Sequence, residues 1–507
     1  MFQKILIANR GEIAVRVMHA CKEMGIVPVA VYSDVDRRAL HVLRSYEAWP
    51  IGGAESRDSY LNTGAILEAA KRSGADAIHP GYGFLAENAE FARACERAGI
   101  TFIGPPPEAI EQMGNKLSAR ATMKTAGVEM VPGSTGAVQS AGEASAVARK
   151  IGFPVILKAA AGGGGKGMRI VHDENELPSA LERTIGEAQN AFGDGSVYVE
   201  KYIERPRHIE IQIMADADGH VSAWGERECS MQRRYQKVIE ECPSPFVTPA
   251  MRSSLSAAAC RAARAVHYRG AGTVEFIADP QRNFYFLEMN TRLQVEHPVT
   301  EAVYGIDLVK QQIRVAAGEP VVVAPDVPEP AGAAIELRVY AEDPANGFLP
   351  SVGRITRLAL PQGPGVRNEN GVYTGYDIPI YYDPMLCKII VWAENRSEAI
   401  RRARRALREF RADGVRTNVD FLLWALCEPD FASGDYDTHY VETHFDPEKL
   451  RAREDDHDLA TIAASIVAWR EATTRRFTGS PDTAGESWRR CARVDALRRP
   501  LRTDGRA

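Results

Sequence analysis

The chain has 507 residues, 45% hydrophobic and 25% charged, the make-up of a globular protein with room for about three domains. Its 62 Lys and Arg against 67 Asp and Glu leave a net charge of −5, which excludes the broad basic field that nucleic acid or an anionic membrane would need. An anionic ligand must therefore be held locally. The eight cysteines are scattered, with no C-x-x-C pair, and no apolar run approaches the ~18 residues of a membrane span. Met1 leads within three residues into a strand pattern rather than a signal peptide. A reduced, cytoplasmic setting without a membrane or nucleic-acid partner is expected.

In chain order, "KILIANRGEIAVRVMHACKEMGIVPVAVYS" predicts strand, helix, strand, with Ile13, Val17, Ala20, Cys21 and Met24 on one helical stripe. A dinucleotide site would want G-x-G-x-x-G in the first turn, and Gly11 stands there alone. The α/β pattern continues through "HPGYGFLAEN" to Pro105, Pro106 and Pro107, where a first domain, 1–113, is expected to end. A second α/β region, 114–330, holds "GFPVILKAAAGGGGKGMRIV", "SVYVEKYI" and a helix near 250–267. It closes on the proline-rich "VVVAPDVPEPAGA". A third, mixed domain, 331–445, has strand patterns in "AAIELRVYAED", "GRITRLAL" and "KIIVWAE", and an amphipathic helix "RSEAIRRARRALREF" with Ser397 as its cap.

The glycine run Gly162 to Gly165 joins two strand patterns, so its backbone can approach a ligand and offer amides to phosphate oxygens. The G-x-x-x-x-G-K-[ST] spacing fails, and alone the run is as consistent with a floppy hairpin. Lys158 at the end of the preceding strand and Lys116 at the start of a helix supply two cations that favour phosphate.

In "GTVEFIADPQRNFYFLEMN", a turn over 279–284 sets Glu275 opposite Glu288. Facing carboxylates repel, so a raised pKa or a bound cation is expected. With Asn290 on the same face, the set suits magnesium. A solvated outer face would also carry charge, but the row continues with Arg292, Gln294 and Glu296 at every second position. An extended chain would aim all five at one side, with Leu287, Met289, Leu293 and Val295 on the other.

Together with "HPGYGFLAEN", "GNKLSA", "EKYIERPRHIEIQ", "ERECSMQRRYQKVIEE", "EMNTRLQVEHPVTE" and "YAEDP", these strings resemble the biotin carboxylases of the ATP-grasp superfamily, in the correct order over residues 1 to about 445. The resemblance implies an α/β and α+β fold: an N-terminal βαβ domain, a central ATP-grasp domain whose mobile glycine-rich lid spans about 131–203, and a C-terminal mixed domain. It implies that Lys116 and Lys158 hold ATP phosphates beneath Gly164 and Gly165. Glu200, Lys201, Tyr202, Ile203, His208 and Gln232 would surround adenine and ribose. Glu275, Glu288 and Asn290 would hold magnesium or manganese, and Lys237, Arg292, Gln294 and Val295 would form the bicarbonate pocket. Glu296 would be the base and Arg338 the guanidinium facing the ureido oxygen of biotin.

The chemistry suits these residue types. Bicarbonate becomes a better nucleophile when a carboxylate takes its proton while cations hold its oxygens, and a permanently charged arginine suits an enolate better than lysine does. Implied partners are a biotin carboxyl carrier protein, a carboxyltransferase subunit that selects an acyl-CoA or pyruvate acceptor, and a second copy in a homodimer.

Tyr235 stands where some relatives of the family carry His or Asn, which puts the ribose contacts in question. The family's biotin-bearing lysine lies between methionines on a hairpin, whereas the nearest match, "TMKT" at Lys124, falls in a helical pattern. The biotin is expected on another protein. Beyond residue 445, Leu459, Ile462, Ile466 and Trp469 share one face of a helical pattern, a docking helix followed by a flexible link and an arginine-rich, solvated end. Competing functions are another bicarbonate- or carboxylate-activating ATP-grasp ligase, with ammonia or an amine as acceptor, and a catalytically silent scaffold.

Overall fold

Strands buried on both faces read as unbroken apolar runs, and the strands Lys4–Ile7 and Val27–Ser33 at the heart of the N-terminal region are of this kind. In the computed structural model, which describes residues 1–160, 167–322, 329–450 and 461–470, five strands form one parallel sheet: β1 (Lys4–Ile7), β2 (Val27–Ser33), β3 (Glu47–Gly52), β4 (Ala77–His79) and β5 (Thr101–Phe102). Their order is β3-β2-β1-β4-β5. Ile5, Leu6, Ile7, Val29, Val31 and Ile78 are fully buried. The helix Gly11–Glu23 lays Ile13, Val17, Ala20 and Cys21 on this sheet, and Met24 ends it. At the turn after β1, Arg10 pairs with Asp36 through Nε and Nη2 at 2.6 and 2.9 Å.

A small antiparallel sheet follows, β6 (Val155–Ala159), β7 (Met168–Val171) and β8 (Val197–Lys201), in the order β7-β6-β8. Helices Ala141–Ile151 and Leu177–Phe192 bury Ala144, Ala148, Leu177 and Leu181 against Val155, Leu157, Val197 and Val199. The glycine run between β6 and β7, including Gly164 and Gly165, lies outside the described residues.

The largest sheet is antiparallel and eight-stranded. It contains β9 (Arg207–Ala215), β10 (Val221–Arg233), β11 (Gln236–Cys242), β12 (Gly270–Ala278), β13 (Phe284–Asn290), β14 (Ala333–Tyr340) and the strands Val366–Asn370 and Met385–Ala393. The order is β13-β12-β9-β10-β11-β14, then Met385–Ala393, then Val366–Asn370. The two-residue period of β9 divides its neighbours. Ile209, Ile211 and Ile213 pack on Leu255, Ala258 and Ala259 of the helix Pro249–Ala265. On the other face Met214 meets Leu308 and Ile313, and Glu210 and Gln212 face Arg227, which also reaches Thr300 of the helix His297–Tyr304.

The helix Arg396–Glu409 is present, but its cap is Asn395, whose side chain accepts the Glu398 amide at 3.0 Å; Ser397 is already inside the first turn. Residues 1–445 form one compact unit and 446–507 another. In the second, residues 461–470 are helical with Ile462, Ile466 and Trp469 exposed. Leu459 and the arginine-rich end lie outside the described residues. Among the described residues no helix is long and apolar enough to cross a membrane.

Candidate active site

The turn between β12 and β13 is one residue shorter than the sequence suggests: the Asp279 amide donates to the Asn283 carbonyl at 2.9 Å, and Ala278 faces Phe284. Unbroken pairing would then set Glu275 against Leu287. A bulge between Glu275 and Phe276 shifts the register by one, so that Glu275 faces Glu288 after all. Glu275 is in turn opposite Glu210 on β9, and Glu210 opposite Arg227 on β10. One row of charge therefore crosses four strands on one face.

That row is buried and densely bonded. Arg227, with no exposed surface, donates to Glu210 and to Gln212 (2.7 Å), Thr300 (2.9 Å), Thr273 (3.0 Å) and Gln294 (2.8 Å). Lys237, from β11, gives its three protons to Glu210, Glu275 and Glu296 at 2.6, 2.9 and 2.6 Å. Burial would lower the Lys237 pKa, but the Cys229 thiol and these three carboxylates raise it well above the ordinary value. Burial would raise Glu275, yet Lys237 and His208, the latter 2.8 Å away, hold it well below the usual carboxylate range. Glu288 is exposed at the sheet edge, and its carboxylate makes no hydrogen bond among the described residues. Partial dehydration, and then Glu275, raise its pKa.

The polar row does not continue along one strand. β13 ends at Asn290, residues 291–296 form a loop, and Glu296 caps the helix His297–Tyr304. Leu287 is exposed and Asn290 buried, so the two-sided alternation fails there. The loop instead sends each side chain its own way. Arg292 turns to Glu87 (2.7 Å) and to the Asn290 side-chain oxygen (2.8 Å). Gln294 lies between Arg227 and Glu275 (2.8 and 2.7 Å). Val295 is half-buried, and its carbonyl accepts from Lys388 at 2.8 Å. Glu296 takes Lys237 on one oxygen and Arg338 on the other, at 2.6 and 2.8 Å. Burial alone would push the Glu296 carboxyl up; Lys237, Arg338 and Arg227 hold it well below its ordinary value. Arg338, on β14, also pairs with Glu240 at 2.5 Å, and burial raises the Glu240 pKa to about 7 despite that partner.

A second group of cations lies where β6 and β8 meet. Glu200, 2% exposed, accepts from Lys158 on one oxygen at 2.6 Å and from Arg120 on the other. Glu200 is thus a counter-ion in this structure. Lys116 opens the helix Lys116–Thr125, whose cap is Asn115; burial lowers its pKa, opposed by Glu288, with Lys158 adding to the lowering. The Lys201 ammonium is turned to the Gly152 and Phe153 carbonyls (3.2 and 2.8 Å), and the Tyr202 hydroxyl lies 3.4 Å from His439. Ile203 is half-buried beside them in sequence. Gln232 is buried opposite Lys237 on β11. Tyr235 is 58% exposed, at the tip of the β10–β11 hairpin with a φ of 66°. Lys124 is exposed on its helix.

Three family models match in succession. They are the biotin carboxylase N-terminal domain over residues 1–110, the ATP-binding domain of the carbamoyl-phosphate synthase L chain over 115–323, and the biotin carboxylase C-terminal domain over 336–443. A biotin carboxylase of Halalkalibacterium halodurans is 52% identical over 444 residues, 88% of this chain and 98% of that one. The chain belongs to the biotin carboxylase family. Its three-domain architecture is the family's, with mixed α and β content. The propionyl-CoA carboxylase alpha chain of Ruegeria pomeroyi is 47% identical over 498 residues, covering 94% of this chain and 73% of its own length. Among solved structures, the biotin carboxylase domain dimer of the Hydrogenobacter thermophilus 2-oxoglutarate carboxylase, in complex with MgADP, ADP and bicarbonate, superposes with a TM-score of 0.83 at 49% identity. That match covers 88% of this chain and 98% of the other.

Glu87, Arg120, Glu210, Arg227, Glu240 and Lys388 carry the geometry without having stood out in the sequence. For Glu210 a signal existed: "HIEIQIM" alternates polar and apolar residues, and its polar face needs a partner once the sheet is covered on both sides. Arg120 and Lys388 meet their partners only through distant chain segments, and no local pattern announces them.

Proposed function

We propose that this chain carries out the first half-reaction of a biotin-dependent carboxylase, the ATP-dependent carboxylation of biotin by bicarbonate, with the biotin borne on a separate carrier protein. The observation that carries it is the Glu296 carboxylate, ionised and held between Lys237 and Arg338 at 2.6 and 2.8 Å. In the proposed reaction Lys237 and Arg292 hold the bicarbonate oxygens, with Gln294 and Val295 completing the pocket. Glu296 takes the bicarbonate proton, and the freed oxygen attacks the γ-phosphorus as the bond to ADP breaks. The resulting carboxyphosphate splits into carbon dioxide and phosphate beside biotin; the phosphate takes the ureido N–H proton, the ureido oxygen gains negative charge against Arg338, and the ureido nitrogen bonds to the carbon of carbon dioxide to give carboxybiotin.

Lys116, Lys158, Gly164 and Gly165 are proposed for the ATP phosphates. Glu200 to Ile203, His208, Gln232 and Tyr235 are proposed for the adenine and ribose. The donor set fits a hard divalent cation: two carboxylates face each other, and Glu288 is raised by dehydration and by Glu275. Glu275, Glu288 and the Asn290 oxygen would hold magnesium or manganese, which when bound would neutralise phosphate charge. The assembly proposed is a homodimer in the cytoplasm that works with a carrier protein and a carboxyltransferase subunit. The dimer and the MgADP and bicarbonate named for the Hydrogenobacter domain support this. The domain limits 1–113, 114–330 with a lid over about 131–203, and 331–445 are likewise proposed, close to the ranges of the three family matches.

The test is phosphate release by the purified chain with magnesium ATP. Turnover is expected to require bicarbonate and free biotin together. Stimulation by ammonia or an amine in place of biotin would transfer the chain to another ligase class.

A further inference from the structure

Lys388 is fully buried in the strand Met385–Ala393. Its ammonium donates to the Val295 carbonyl at 2.8 Å and lies 2.9 Å from a Glu369 oxygen and 3.3 Å from a Glu12 oxygen. Taking an ammonium out of water costs several kcal/mol, and an apolar side chain would fill such a position without that penalty. Val295 immediately precedes Glu296 in a loop that no sheet ladder holds. In the sheet, Lys388 is opposite Arg338 on one side and Glu369 on the other, so these three make a second charged row on one face. Arg338 grips the Glu296 carboxylate, and Lys388 grips the peptide that leads into it.

We infer that Lys388 is a positioning residue for Glu296, a strut from the C-terminal sheet that fixes the backbone of the proposed base while Lys237 and Arg338 fix its carboxylate. The strut is itself braced. Glu12 comes from the N-terminal helix and accepts from the Tyr82 hydroxyl, and Glu369 lies against Arg16 and Arg367. The N-terminal and C-terminal regions thus both bear on one peptide bond of the central loop. The inference rests on the proposed role of Glu296, and a misplacement of about 1 Å at a reacting group is enough to cost ~100-fold in rate.

Lys388→Met keeps the length and removes the ammonium, but it takes away the cation beside Glu12. The companion Lys388→Met/Glu12→Gln removes both charges and leaves Glu369 with Arg16 and Arg367. The double variant is expected to melt near the wild-type temperature and to bind ATP as the wild type does. Its kcat for bicarbonate-dependent ATP cleavage should fall ~100-fold and its KM for bicarbonate should rise, with the KM for ATP unchanged. Hydrogen exchange over residues 291–297 should be faster than in the wild type. Normal kcat and bicarbonate KM in the double variant would overturn the inference, leaving Lys388 as a neutraliser of Glu12. Unchanged exchange in that loop would overturn it too, even if the wild type proved to have no bicarbonate-dependent turnover, a result that would count against the proposed reaction.

Discussion

In the parallel sheet β1 to β5, Ile5, Leu6, Ile7, Val29, Val31 and Ile78 are buried among other apolar side chains. In the eight-stranded sheet, Ile209, Ile211 and Ile213 pack in the same way on one face, but the other face buries Glu210, Arg227, Glu275, Arg338 and Lys388 almost completely. Both regions hide similar strands from water. The first gains mainly from apolar burial, whereas the second bears the cost of dehydrating charges and offsets it through short ion pairs. The apolar sheet can therefore be altered with losses of stability alone, while the charged face couples stability to chemistry.

The largest contrast is expected at Glu296. Glu296→Gln keeps the size and removes the base, so bicarbonate-dependent phosphate release should fall ~100- to 10,000-fold while nucleotide affinity measured by titration changes little. Near-normal turnover, or lost ATP binding, would break the assignment. Arg227→Met is expected next in size, because it leaves Glu210 buried with Lys237 as its remaining cation. Removing one partner of a buried pair costs about 3–5 kcal/mol, readable as a lower urea midpoint.

The apolar region should show its own pH signature. His41 is fully buried, and burial drives its pKa down to about 4, with Arg10 adding to the lowering and Asp36 opposing it. Unfolded, it titrates near 6.5, so as the pH falls below that value the unfolded chain binds a proton that the folded chain refuses. Stability is therefore lost on acidification, by roughly 2 kcal/mol between pH 6.5 and 5. His41→Gln should lack that part of the slope in denaturant titrations at the two pH values. The smallest effect belongs to Ile78→Val, which removes one buried methylene: about 0.5–1.5 kcal/mol in unfolding experiments, with the bicarbonate KM unchanged. A change in KM there would erase the distinction between the two regions.

Much of the scaffold is legible in the sequence, because it follows from periodicity. The stripe of the first helix, the alternation in β9 and the hairpin that pairs Glu275 with Glu288 all repeat over several residues. The errors arise where one residue breaks the period. A turn one residue short and a compensating bulge give the expected register by another route, and the chain leaves the sheet at Asn290, which turns a supposed polar strand face into a loop. Asn395 displaces Ser397 as a cap for a similar reason, since helix starts are uncertain by a residue or two. Pairings such as Arg120 with Glu200 or Lys388 with Glu12 join segments far apart in the chain and depend on tertiary packing.

Glu200 has a further consequence. With Lys158 on one oxygen and Arg120 on the other, it already stands where an anion would be welcome. A polyanion arriving at Lys158 would meet a cation whose charge a resident carboxylate already offsets. If it displaces that carboxylate, binding is an anion exchange in which the number of ion pairs need not rise. Its response to ionic strength reports the difference between two anions and should be shallower than the charge of the incoming group alone would give.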